Sequence, residues 1–251
     1  MASALCSIDR VTASANMSNR LSEAIVEAYK VTNGAPISFE LMLKYYQARM
    51  KDANNDDSIS SVLKQLVNAH IFESEDKVSL IDDSYIIKMD GYPKDGPIAK
   101  AIVYFLMSKL NNIYELLDKQ AVNDEVVQIR HFSIIDEAHY MLDFDNRPLR
   151  NLIAVGRNKG LSIILATQNM SSFKSKGFDF YANAQYPLIM KQQTIDDKVI
   201  KDLFGVSGQE LQEIRTAIAG LQKGELIIKD QMAFALGMGN KYKKINVSHL
   251  I

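Results

Sequence analysis

The stretch from Gln128 to Met170 reads QIRHFSIIDEAHYMLDFDNRPLRNLIAVGRNKGLSIILATQNM. It holds two short apolar runs, Ile129 to Ile135 and Leu161 to Ala166, with a helical pattern between them. Apolar runs of this length, bounded by polar residues, read as buried strands, and an intervening helix implies a parallel pair joined by a crossover. Asp136 and Glu137 close the first strand; Thr167 and Gln168 close the second. Ligands of an open parallel sheet bind outside the carboxyl ends of its strands, which makes these polar ends the first candidates for a site.

An aspartate at such an end can hold a magnesium ion, usually through water, and a neighbouring glutamate can polarise a water for attack on a phosphoryl group. This is the Walker B arrangement. Acidic residues also favour helix N-termini, so capping of the next helix is the plain alternative for Asp136 and Glu137. The surrounding sequence favours the chemical reading. Leu149, Leu152, Ile153 and Gly156 line one helical face, and Gly156-Arg157-Asn158-Lys159-Gly160 then brings two cations to a turn just before the second strand. An arginine there can reach into a nucleotide site, most naturally that of an adjacent subunit.

Together IIDEAH, GRNKG and LSIILATQ resemble the second half of the HerA/FtsK-type ATPases, a superfamily that includes the ATPases of type IV secretion and conjugation. The likeness covers roughly residues 84 to 229. It implies an α/β fold of RecA-like type, a mostly parallel sheet flanked by helices. It also implies that Asp136 is the Walker B aspartate (the Mg²⁺ residue), Glu137 the catalytic glutamate, Arg157 an arginine finger and Gln168 the polar sensor. ATP and Mg²⁺ are the cofactors so implied. The implied partners are double-stranded DNA and further copies of the chain in a hexameric ring. The chain as a whole is similar to the C-terminal part of the HerA-like proteins of phosphorothioation-dependent DNA restriction, the DptH/DndH type, which adds other restriction-system proteins as partners. Asp136 to His139 also spell DEAH, the signature of a helicase group with an Ala-Thr on the following strand. The GRNKG turn is foreign to that group, and no QxxGRxGR-like second-lobe motif is present.

A complete ATP site needs G-x-x-x-x-G-K-[ST], whose backbone N–H groups hold the phosphates. Gly91-Tyr92-Pro93-Lys94-Asp95-Gly96 comes nearest, but Pro97-Ile98 follow where Lys and Ser or Thr are required. Two accounts stand. Either the phosphate loop lies in an upstream part of a longer protein, or the chain is a non-hydrolysing interaction and assembly module of a DNA-restriction complex.

Composition is neutral on these questions. The 251 residues are 47% hydrophobic and 24% charged with a net charge of −1, which fits an ordinary globular protein and gives no basic excess of the kind nucleic-acid binders show. The single cysteine, Cys6, allows no internal disulfide and suits a reducing cytoplasm, and no apolar run approaches the length of a membrane span. No His/Cys spacing suggests zinc. His70 and His131 read as core residues, and His139 as a neighbour of the site.

Taken in order, residues 1–20 read as a poorly ordered lead-in. Residues 21–82 form a helical, winged-helix-like insertion: helices over Leu21 to Lys30, Ser38 to Met50 (capped by Ser38) and Ile59 to Ala69, then a hairpin from Ile71 to Ile81. Its third helix carries only Lys64 as a cation, which favours packing over DNA contact. Residues 83–236 form the ATPase half. Within them fall a strand over Ser84 to Met89, a long helix over Pro97 to Leu117 and a loop with Lys174 and Lys176 that can face a pore. A strand over Tyr186 to Lys191, helices capped by Thr194 and Ser207, and a final antiparallel pair, Gly224 to Lys229 with Met232 to Leu236, complete this half. Residues 237–251 form a tail whose Lys241, Tyr242, Lys243 and Lys244 make a basic-aromatic cluster.

Overall fold

The structure, a computed structural model, describes residues 1–50, 56–71, 79–123, 126–175, 178–237 and 241–247. It divides into two compact units, residues 1–133 with 143–164, and residues 134–142 with 165–251.

The first unit opens with four helices: α1 (Ala2–Ile8), α2 (Ala15–Val31), α3 (Phe39–Gln47) and α4 (Ser58–Asn68). The expected lead-in is therefore helical. Leu5 and Cys6 of α1 are fully buried, and α1 packs on α4. Burial also pushes the Cys6 thiol up to about 11, so at neutral pH it behaves as a small apolar side chain. Ser38 caps α3, its hydroxyl accepting from Leu41 N at 3.1 Å. Asp57 caps α4 in a reciprocal box with Ser60.

Asp57 does more than cap. Its Oδ2 accepts from the Tyr46 hydroxyl at 2.6 Å and from Arg20 at 2.9 Å, and the Arg20 guanidinium lies 5.3 Å from the centre of the Tyr46 ring. One carboxylate thus ties α2, α3 and α4 together. Burial, reinforced by the bond to Asp57, holds the Tyr46 phenol far above its ordinary range. Lys64, the cation of α4, is paired with Asp56 at 2.6 Å, which takes it away from the role of a free phosphate ligand. Most of the expected hairpin, residues 72–78, lies outside the described residues.

Ser84 to Met89 does not form a strand. The segment is irregular, with Ile86 89% exposed and Tyr85 and Ile87 about half so. Its apolar alternation suits a strand, but among the described residues it has no strand to pair with. Helix α5 (Pro97–Leu116) starts with proline in its first turn, where the missing N–H costs nothing. Its Leu110 and Tyr114 pack against Leu152 of the later helix α7 (Arg147–Val155) and Leu161 of the second central strand. A minimal antiparallel ladder, β1 (Val122–Asn123) and β2 (Val126–Val127), occupies the expected loop.

The central strands are β3 (His131–Ile135) and β4 (Leu161–Leu165), paired as one sheet. Arg130 N and His131 N donate to Gly160 O, and Ala166 N donates to Ile135 O. Both strands therefore advance together, as a parallel pair must. The first strand begins two residues later than its apolar run. Phe132 and Ile134 on alternate positions are 57% and 69% exposed, so the described residues leave one face of β3 uncovered although its sequence suits burial on both faces. His131 lies edge-on to Tyr114, and burial lowers its pKa, keeping the ring neutral.

The second unit carries α6 (His139–Leu142), a ladder of β5 (Lys174–Ser175) and β6 (Phe178–Asp179), and α8 (Phe180–Asn183). Lys176 lies outside the described residues. The unit's main sheet has the order β7 (Leu188–Met190), β8 (Glu225–Lys229), β9 (Tyr242–Asn246), all antiparallel. Two expectations change here. The segment expected to pair with β8 is a helix, α11 (Gln231–Leu236), and its place is taken by β9 from the expected tail. The tail cations are all engaged: Lys241 with Glu210 at 3.2 Å, Lys243 with Asp230 at 2.8 Å and Lys244 with Glu225 at 2.7 Å. Hydrogen bonds from Lys244 and Lys243 hold the Glu225 and Asp230 carboxyls below the usual range. This strand has formed its own ion pairs and offers no free basic cluster.

Helices α9 (Asp197–Phe204) and α10 (Gly208–Ala219) cover one face of this sheet. Asp196, rather than Thr194, caps α9, accepting from Lys198 N at 3.0 Å and from Val199 N at 3.4 Å. Gly205 ends α9 at φ +61°, as a left-handed terminator requires. Val199, Ile200, Phe204, Ile214, Ile218 and Ile227 form the core. Phe204 is fully buried there, so Phe204→Ala should destabilise the protein by about 3–5 kcal/mol. A urea midpoint shifted by less than about 1 kcal/mol equivalent would show that this core is not the one described.

Candidate functional site

Residues at the carboxyl ends of β3 and β4 meet because the ladder continues past both strands. Ala138 N donates to Ala166 O at 2.8 Å, and Ala166 N donates to Ile135 O at 2.9 Å. These bonds fix the turn at Asp136 to Ala138 beside Thr167 and Gln168. Gln168 Nε2 then donates to Glu137 Oε1 at 2.5 Å. Two residues assigned to one site from their strand ends are in direct contact.

Glu137 sits at φ +50°, in the left-handed region. A non-glycine residue there costs on the order of 1–2 kcal/mol, and such strain concentrates where geometry serves a function. The turn is steadied by Asp136, whose Oδ1 accepts from Glu137 N at 2.9 Å. Asp136 itself is exposed, and among the described residues its other carboxylate oxygen accepts no hydrogen bond. Capping of α6, the plain alternative, does not describe this arrangement: Asp136 binds the adjacent N–H, and Glu137 turns to Gln168.

His139 completes the cluster. Its Nδ1 lies 3.3 Å from Glu137 Oε2 and 3.3 Å from Thr167 Oγ1. Glu137 Oε2 is buried and, although His139 is within ion-pair distance, makes no aligned hydrogen bond among the described residues. The sequence places His139 only near the site. The signal that it belongs inside is its spacing, two positions past Glu137 at the start of α6, combined with a threonine on the neighbouring strand.

A magnesium ion fits this donor set in one way. Among the described residues there is no group of three or more His, Cys, Asp or Glu side chains able to hold a metal. Mg²⁺ prefers one or two carboxylates together with water and substrate phosphates over an all-protein cage, and the exposed Asp136 is such a carboxylate.

Arg157 belongs to the first unit. It lies on a short 3₁₀ turn, Gly156–Lys159, and is exposed. The other cation of the turn is structural, since Lys159 Nζ donates to Tyr114 O at 2.6 Å and Glu115 O at 2.8 Å, closing the carboxyl end of α5. Gly160 adopts φ +80°, and a Cβ there would stand 2.7 Å from Gln128 O. That explains the second glycine of GRNKG. Among the described residues Arg157 makes no side-chain hydrogen bond or ion pair.

No protein-family model matches the chain, and no curated protein matches it. Among solved structures it is similar to VirB4 of Thermoanaerobacter pseudethanolicus, with a TM-score of 0.63 and 18% sequence identity over 97% of this chain. The chain spans 66% of that structure's length. At this identity the likeness is one of fold, and the fold is α/β of RecA-like type, the class implied by the resemblance carried by IIDEAH, GRNKG and LSIILATQ.

Proposed function

We propose that this chain is the Walker B-bearing part of an ATP-driven motor of HerA/FtsK type that works on double-stranded DNA in restriction or DNA processing. The observation that carries the reading is the meeting of Asp136, Glu137 and Gln168 at the ends of a parallel strand pair. The fold shared with VirB4 supports it. The phosphate-binding loop is assigned to a segment outside these 251 residues.

In this reading Mg²⁺-bound ATP supplies the phosphoryl group and the electrostatic stabilisation of its charge. Asp136 would hold the Mg²⁺ ion, through water. Glu137 orients the attacking water and accepts its proton. Gln168, hydrogen-bonded to Glu137, couples the sensor strand to that carboxylate. Arg157 of one subunit offsets charge in a neighbour's site within a hexameric ring, where its lack of an ion partner among the described residues leaves it available.

DNA as the substrate rests on the family likeness; the cations of β9 and α4 do not support it, being paired already. ATP hydrolysis by the longest natural form should rise several-fold on addition of duplex DNA. Hydrolysis that duplex leaves unchanged at every length and salt concentration would remove DNA from the reading while leaving the ATPase. The second reading, a non-hydrolysing assembly module, is favoured by one observation, the lack of a phosphate loop in this chain.

A further inference from the structure

The buried edge of Glu137 points to a role for two residues beyond Asp136, Arg157 and Gln168. Oε1 is occupied by the Gln168 amide, whereas Oε2 is buried with no aligned donor among the described residues. A buried carboxylate oxygen left unpaired is costly, and His139 Nδ1 lies 3.3 Å from it. The same nitrogen lies 3.3 Å from Thr167 Oγ1, on the strand end that also carries Gln168.

The Thr167 hydroxyl can donate to Nδ1 or accept from it, so the Glu137 carboxylate decides between the tautomers. With a bare Nδ1, the ring would aim a lone pair at a buried carboxylate oxygen. With Nδ1–H, it faces two acceptors, Glu137 Oε2 and Thr167 Oγ1. Catalytic hydrogen bonds are often long and poorly aligned before substrate binds and tighten afterwards, which suits a 3.3 Å contact.

We infer that His139 and Thr167 are positioning residues for Glu137: the imidazole Nδ1–H holds Oε2, the Thr167 hydroxyl fixes the ring, and Oε1 is thereby turned toward the attacking water. The inference rests on the ATPase reading above. Gln168 contacts Oε1 in the structure and is the partner that must yield or share that oxygen when water is bound. The strained φ of Glu137 then has a purpose, since it turns the carboxylate back across the strand ends to this pair.

Two measurements test it, one of them independent of activity. In the 251-residue chain with nitrogen-15-labelled histidines, the His139 resonances, identified by their loss in His139→Asn, should show a protonated Nδ1. An unprotonated Nδ1 overturns the inference. In the longest natural form, His139→Ala should lower kcat for ATP about tenfold with KM unchanged, and His139→Asn, whose amide can place a donor near the Nδ1 position, should recover most of it. Thr167→Val should fall between wild type and His139→Ala, and Thr167→Ser should match wild type. A rise in KM at unchanged kcat, or equal damage from Asn and Ala at position 139, overturns the positioning role. No hydrolysis by the wild-type long form would defeat the motor reading, and the tautomer would still decide the contact between His139 and Glu137.

Discussion

Glu137→Gln in the longest natural form should abolish ATP turnover while nucleotide binding persists. Glutamine fills the same volume and can still accept the hydrogen bond that Gln168 now gives to Oε1. It cannot take a proton from water. General-base contributions run to about 10²–10⁴ in rate, so kcat should drop by about 10² or more, with ATP affinity within a few-fold of wild type by equilibrium titration. Loss of binding and turnover together in a folded protein would mean that Glu137 holds the site together rather than acting in the reaction. The contact with Gln168 is what makes the binding measurement necessary, since the glutamate bridges two strand ends.

Arg157→Ala should be nearly as damaging, but in a way that mixing can repair. The turn that carries Arg157 is rigid: Gly160 holds its left-handed end, Lys159 caps α5, and Gln120 N donates to Asn158 O at 2.9 Å. Truncating an exposed side chain on such a turn should leave folding intact. A finger supplied to a neighbour is worth about 10³–10⁵ in rate, so homogeneous Arg157→Ala assemblies should be almost inactive. Mixtures of Arg157→Ala with Glu137→Gln subunits create some interfaces with an intact glutamate and an intact arginine. Activity should therefore reappear at intermediate ratios, as measured by ATP hydrolysis across a mixing series. No recovery at any ratio would place Arg157 in its own subunit's site or outside catalysis.

How far the sequence discloses this structure depends on the element. The long helix expected over Pro97 to Leu117 is found at Pro97–Leu116, because an N-terminal proline and a sustained apolar face leave few alternatives. Ser38 acts as the cap of α3 for the same local reason. Helix α1 is not legible in the sequence: seven residues of ALCS-type composition carry too few periods to show amphipathicity, and its burial comes from packing on α4. The end of the chain misleads for a related cause. Met232 to Leu236 alternates large apolar residues with alanine, as a strand would, but Met, Ala and Leu are strong helix formers, and Asp230 Oδ1 accepts from Met232 N and Ala233 N and starts a helix, leaving β8 to pair with distant β9.

At the candidate site, the strand ends are legible and the contacts are not. Apolar runs ending in Asp-Glu and Thr-Gln mark both strand ends. The pairing of Glu137 with Gln168 joins positions 31 apart through parallel register, which no local pattern encodes. The positive φ of Glu137 likewise follows from the turn between β3 and α6. His139 and Thr167, 28 positions apart, become a pair only through that register.

ATP hydrolysis by the longest natural form, measured beside the 251-residue chain under identical conditions, bears most directly on whether Asp136, Glu137 and Gln168 are half of a split ATP site. Turnover in the long form, its loss on Glu137→Gln and none in the shorter chain are the expected results. Silence in both forms, with and without duplex DNA, would contradict the motor and leave an assembly module that has the fold of an ATPase without its reaction.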